Sequence, residues 1–168
     1  LMHFNQSTVS EEIICPYPGL RPFTEEESIY FKGRDEHIEK ITRILERDKF
    51  LMLTGASGDG KSSLVYAGLI PNARAGFFTA KYNEWVIADF RPERSPLLNL
   101  SVILNKQLHC GTVDSVMENL SHGYSSLVDI YKNSSLFQGN QEPHSAVKSG
   151  STRPSNLLIL VDQFEEFF

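Results

Sequence analysis

Residues 55–63 read Gly55-Ala56-Ser57-Gly58-Asp59-Gly60-Lys61-Ser62-Ser63, and the first eight match the pattern G-x-x-x-x-G-K-[ST]. The residue types follow from one chemical task. A chain of phosphates needs many donors at short range, and glycines let backbone N–H groups turn inward with no Cβ in the way. A helix beginning at the lysine aims its positive end at the same point. Lys61 then reaches the β and γ phosphates of ATP or GTP, and the Ser62 hydroxyl reaches Mg²⁺. By ordinary residue frequencies the pattern arises by chance in roughly one chain of this length in a few hundred. The competing reading is a glycine-rich turn that merely caps a helix. The motif demands a strand before it and a helix after it. Residues 50–54, Phe50-Leu51-Met52-Leu53-Thr54, form a short apolar run that predicts a buried strand, and residues 61–70 predict a helix ended by Pro71.

The rest of the chain alternates in the same way. Residues 1–14 are polar and unpatterned, a frayed lead-in. Three prolines between Cys15 and Phe23 impose an extended path. Thr24 and Glu27 fit a capping box for a short helix through Ile29 and Tyr30, broken at Gly33. Ile38, Ile41, Ile44 and Leu45 share one face of a helix over 35–47. A loop over 72–82 leads to a second strand over 85–90, where Trp85 reads as core. Leu97, Leu100, Ile103 and Leu104 mark a helix over 96–108, and 112–131 is helical with a break near Gly123. Residues 133–155 are rich in Ser, Gly, Asn and Pro and predict a flexible insertion. Leu157-Leu158-Ile159-Leu160-Val161 is apolar on both faces, as in a parallel sheet covered by helices. No internal repeat is evident. Strands alternating with helices indicate an α/β fold with a parallel sheet.

Composition narrows the function classes. A net charge of −5 over 168 residues argues against the chain as a whole binding nucleic acid. Cys15 and Cys110 lack metal-type spacing and read as idle thiols of a reducing compartment. No stretch approaches the ~20 apolar residues that span a bilayer, and the start does not resemble a signal peptide. These features place the expected location in the cytoplasm. The chain opens on Leu1 and stops at Phe168, directly after an acidic motif, which reads as a fragment of a longer protein.

That acidic motif is the second half of the expected site. Asp162 tips the apolar run, where a carboxylate holds Mg²⁺ through water opposite a phosphate loop. Glu165 and Glu166 follow. Either would serve as the general base that polarises water, with Glu166 slightly preferred, unless both are solvated charges.

Taken in order, Pro16 to Phe23, Phe31-Lys32-Gly33-Arg34-Asp35, the loop from Gly55 to Ser63, and Leu160-Val161-Asp162-Gln163-Phe164-Glu165-Glu166 resemble the novel STAND NTPases of type 1, signal-transduction ATPases with numerous domains. The resemblance touches most of residues 15–105 and 156–168. It implies a P-loop NTPase fold, with residues 15–168 as the N-terminal part of the NTPase domain, ending after the Walker B strand. It implies ATP rather than GTP, with Mg²⁺, and a switch that binds ATP, self-associates and hydrolyses slowly. A WD-type or helical-repeat sensor further along such proteins controls an effector. The resemblance puts the Phe31-Gly33-Arg34 segment near the adenine, whereas Arg34 read alone is a surface charge at a helix start. Arg91 and Pro92 also look like a family feature, with a solvated loop arginine the plainer reading. The resemblance further implies a later strand between the 50–54 run and the strand ending in Asp162, so hydrolysis by this polypeptide alone is not expected. A P-loop kinase acting on a small molecule and a non-hydrolysing scaffold are the alternatives.

Overall fold

The fold is that of a computed structural model, which describes residues 18–138 and 154–167. The lead-in over 1–14, Cys15 and residues 139–153 of the insertion expected over 133–155 lie outside the described residues.

Two parallel strands form the sheet: β1 (Glu84–Phe90) and β2 (Ser155–Val161), paired from Glu84↔Ser155 to Phe90↔Val161. The period of two sorts their side chains to opposite faces. Trp85 and Ile87 of β1 and Leu160 of β2 pack on one side, against α1 (Asp35–Asp48) and α2 (residues 61–74). Val86, Ala88, Leu157 and Ile159 pack on the other, against α3 (Pro96–Leu108), α4 (Val113–Ser121), α5 (Ser126–Lys132) and α6 (Ser135–Gln138). Each face therefore has its own hydrophobic cluster, as expected for parallel strands covered by helices. Trp85, expected in the core, is half-buried against the first cluster, its ring edge-on to Phe78 at 5.3 Å.

Local chemistry sets the boundaries. α1 opens with Asp35 and Glu36 at its positive end and stops at Lys49, in the left-handed region at φ 56°. α3 begins at Pro96 and ends at His109, φ 50°. A capping box of Thr112 and Ser115 starts α4. Among the described residues no helix is long and apolar enough to cross a membrane.

Four expectations need correction. Residues 50–54 join no ladder among the described residues. They are extended in burial alone: Leu51 and Leu53 pack on the α1–α2 cluster while Phe50 and Met52 stay 72% and 69% exposed. One face is buried, but β2 does not take the segment as a neighbour, so its backbone finds no strand to pair with.

Pro71 does not end its helix. α2 is α over Lys61–Ser63, π over Leu64–Leu69 and α again over Ile70–Arg74. The Ile70 amide donates to Val65, five residues back. This one-residue slip starts a new α segment just before the proline, where its missing N–H is tolerated. The capping box at Thr24 is half made, the Glu27 carboxylate accepting from the Thr24 amide at 2.9 Å, and it starts a 3₁₀ turn over Ser28–Tyr30. Finally, residues 133–138 are not part of a flexible insertion. Ser134 and Leu136 are buried, and the Ser134 hydroxyl donates to Tyr131 O at 2.6 Å.

Candidate functional site

The loop between the 50–54 segment and α2 supplies a cluster of free amides. Gly58 and Gly60 take φ of 88° and 78°, where a side chain would be strained. Gly55 has a second reason to be glycine, since a Cβ there would lie 2.8 Å from Asp59 Oδ2. That carboxylate turns inward and accepts from the Ala56 amide at 2.7 Å. No hydrogen bond to a described residue occupies the amides of Ser57, Gly58, Gly60, Lys61 or Ser62. They stand at the start of α2, where the helix end adds partial positive charge. Lys61 Nζ donates to Gly55 O at 2.8 Å and Ala56 O at 2.9 Å, which holds the ammonium over the loop.

Two sequence-predicted residues from outside the loop are brought to it. Arg34 Nη2 donates to Asp59 O at 2.5 Å. Asp162 Oδ1 accepts from the Ser62 hydroxyl at 3.3 Å. β2 sets that position, because the Asp162 amide extends the ladder by donating to Phe90 O at 3.1 Å. Ser63 is buried, and its hydroxyl accepts from the Phe23 amide at 3.1 Å, so it anchors the proline-rich segment rather than facing the loop. Phe23 and Phe31 stack at 5.5 Å, tilted by 56°. With Ile29, Tyr30, Gly33 and Arg34 they line a cavity of about 610 Å³.

The glutamates are placed differently. Glu165 is exposed in a 3₁₀ turn over Phe164–Phe167, with no hydrogen bond or ion pair to Ser62 or Asp162. The side chain of Glu166 lies outside the described residues. Between the turn and Asp162, Gln163 holds φ 55°, and its side-chain oxygen is buried without a partner. A strained backbone and an orphaned polar atom beside one carboxylate are features that cluster at functional sites.

Sequence reasoning missed three residues next to Asp162. Arg91, read as a solvated loop arginine, has Nη2 at 3.6 Å from Asp162 Oδ2. Asp89, two residues earlier, accepts from the Tyr66 hydroxyl at 2.9 Å. Burial pushes the Asp89 carboxyl above its ordinary value and the Asp162 charge adds to the push, while Tyr66 and Arg91 oppose it. Burial, then the hydrogen bond to Asp89 and its charge, also push the Tyr66 hydroxyl up. The signal for Asp89 was present: the β1 run ends in aspartate just as the β2 run does.

The donor set fits a nucleotide with a hard cation. Among the described residues no group of three or more His, Cys, Asp or Glu could hold a metal. One hydroxyl and one carboxylate suit Mg²⁺, which keeps waters and takes its other ligands from phosphate. The family model described as Novel STAND NTPase 1 matches residues 16–168. No curated protein and no solved structure matches the chain.

Proposed function

The chain belongs to the novel STAND NTPase 1 family, and on that premise we propose that it binds Mg-ATP as the nucleotide-binding part of a signalling switch. One observation carries the reading. Ser62 and Asp162, separated by 100 positions, meet at 3.3 Å beside a loop in which the amides of Gly58, Gly60 and Lys61 bond no described residue. A glycine-rich helix cap has no use for that carboxylate.

The loop amides of Gly58 and Gly60 and the helix start at Lys61 bind the phosphates. Lys61 exchanges its two carbonyl contacts for phosphate oxygens. Ser62 and Asp162 hold Mg²⁺, which when bound screens charge on the terminal phosphates. Arg34 steadies the loop through Asp59 O. The aromatic cavity beside Phe23 and Phe31 suits the adenine ring. Glu165 or Glu166 orients water in the hydrolytic step. The protein works in the cytoplasm and self-associates under the control of a repeat sensor.

The test is ATP binding with and without Mg²⁺, for wild type and Lys61→Ala. Binding that needs Lys61 and tightens with Mg²⁺ supports the reading; affinity indifferent to both removes it. Hydrolysis is then assayed in a chain extended past residue 168. Turnover untouched by Glu165→Gln and by Glu166→Gln would reject both as the base.

A further inference from the structure

Arg91 has an anchored stem and a free head. Asn99 Nδ2 donates to Arg91 O at 3.0 Å and to Pro92 O at 3.1 Å, and Pro92 is fully buried. These contacts fix the backbone just past β1. The side chain is 55% exposed, and the 3.6 Å approach of its guanidinium to Asp162 is longer than a hydrogen bond. A pair so loose contributes little and separates readily. The charged and titratable groups felt around it are Asp162, Asp89 and Tyr66.

The two oxygens of Asp162 thus have different neighbours. Ser62 is on Oδ1 and Arg91 is nearest Oδ2. The guanidinium therefore sits two contacts from the hydroxyl assigned to Mg²⁺. A half-exposed cation with a planar fork of donors, held by its backbone near Asp162, suits phosphate recognition. Serving only to neutralise Asp89 and Asp162 would leave most of those donors unused.

We infer that Arg91 reads the terminal phosphate of the bound nucleotide. It rests against Asp162 until that carboxylate turns to Mg²⁺, then engages the terminal phosphate and so distinguishes ATP from ADP. It is a specificity residue of the site proposed above and rests on that reading.

The experiment is calorimetric binding of Mg-ADP and of the Mg²⁺ complex of a non-hydrolysable ATP analogue with an imido bridge. Wild type, Arg91→Ala, Arg91→Lys and Lys61→Ala are compared, with thermal unfolding as the control for folding. Arg91→Ala is expected to weaken the triphosphate analogue roughly tenfold and ADP less than about twofold, the loss of one charge-assisted contact. Arg91→Lys is expected to recover part of the difference, which a purely structural role would not require. Equal losses for both nucleotides, or none, overturn the inference. Wild-type binding that is lost in Lys61→Ala but unchanged in Arg91→Ala sinks the Arg91 assignment and leaves the loop reading standing. If wild type binds neither nucleotide, the nucleotide reading falls and this inference with it.

Discussion

Ser62 and Asp162 stand 100 positions apart in the sequence, yet their side chains lie 3.3 Å apart. The contact joins the first turn of α2 to the residue just past β2. With Mg²⁺ binding as its proposed use, removing either partner should affect metal dependence before it affects the nucleotide itself. Ser62→Ala and Asp162→Ala are expected to bind ATP without Mg²⁺ much as wild type does, and to lose most of the tightening that Mg²⁺ brings. Titrating Mg²⁺ at fixed ATP measures this. Tightening by Mg²⁺ in both variants as strong as in wild type would refute the assignment.

Lys61 makes a different prediction, because its hydrogen-bond partners among the described residues are Gly55 O and Ala56 O. Losing those two contacts alone costs the fold little. Losing a charge-assisted contact to phosphate should cost about 2 kcal/mol, roughly thirtyfold in affinity. Lys61→Ala should therefore unfold near the wild-type temperature and bind ATP about thirtyfold more weakly. Calorimetry on the same sample as the melting curve separates the two effects.

Gly68 ties the π segment of α2 to α1. A Cβ there would stand 2.8 Å from Ile38 Cγ1 and 2.9 Å from Cδ1. Isoleucine is stiff at χ1, so the neighbour yields poorly. Overpacking of this kind costs about 1–3 kcal/mol, of which better helix propensity returns at most about 1 kcal/mol. Gly68→Ala should lower stability by about 1–2 kcal/mol in denaturant unfolding. The penalty should vanish when Ile38→Ala is the background; a penalty that persists there would place the strain elsewhere.

The legible parts of this chain are those decided by neighbouring residues. Pro96 and the spacing of Leu97, Leu100 and Leu104 gave α3 its bounds, and the run to Val161 gave β2. The glycines of the loop announced their own conformations. What depended on distant partners was not legible. Residues 50–54 have strand-like alternation, but pairing needs a neighbour that local pattern cannot supply. Pro71 looked like a stop because the register slip ahead of it is set by packing of α2 on α1 and β1. Ser134 looked solvated by type, yet a hydroxyl that bonds its own preceding turn can be buried. Arg91 looked like a loop charge because only the register of β1 on β2 brings it to Asp162.

The same dependence on partners governs Glu27, whose charge ties the turn from Arg21 to Glu27 together. Arg21 donates to Oε1 at 2.5 Å and to Oε2 at 2.7 Å, and the Thr24 amide donates to Oε2 at 2.9 Å. The Arg21 hydrogen bonds first, then the Thr24 amide, hold its carboxyl down at about 2 against an ordinary 4.5. The sign follows from linkage: a carboxylate whose folded pKa is depressed adds stability that is complete above its unfolded pKa and is lost as pH falls toward the folded one. The turn from Arg21 to Glu27 should therefore hold at neutral pH and loosen between about pH 4.5 and 2. Phe23, whose amide donates to Ser63, lies within that turn, so loosening it should also disturb the aromatic cavity. The side-chain carbonyl resonance of Glu27, followed by NMR, should titrate near 2 in wild type and move toward 4.5 in Arg21→Ala. A midpoint that stays put in Arg21→Ala would mean that the guanidinium does not hold this turn.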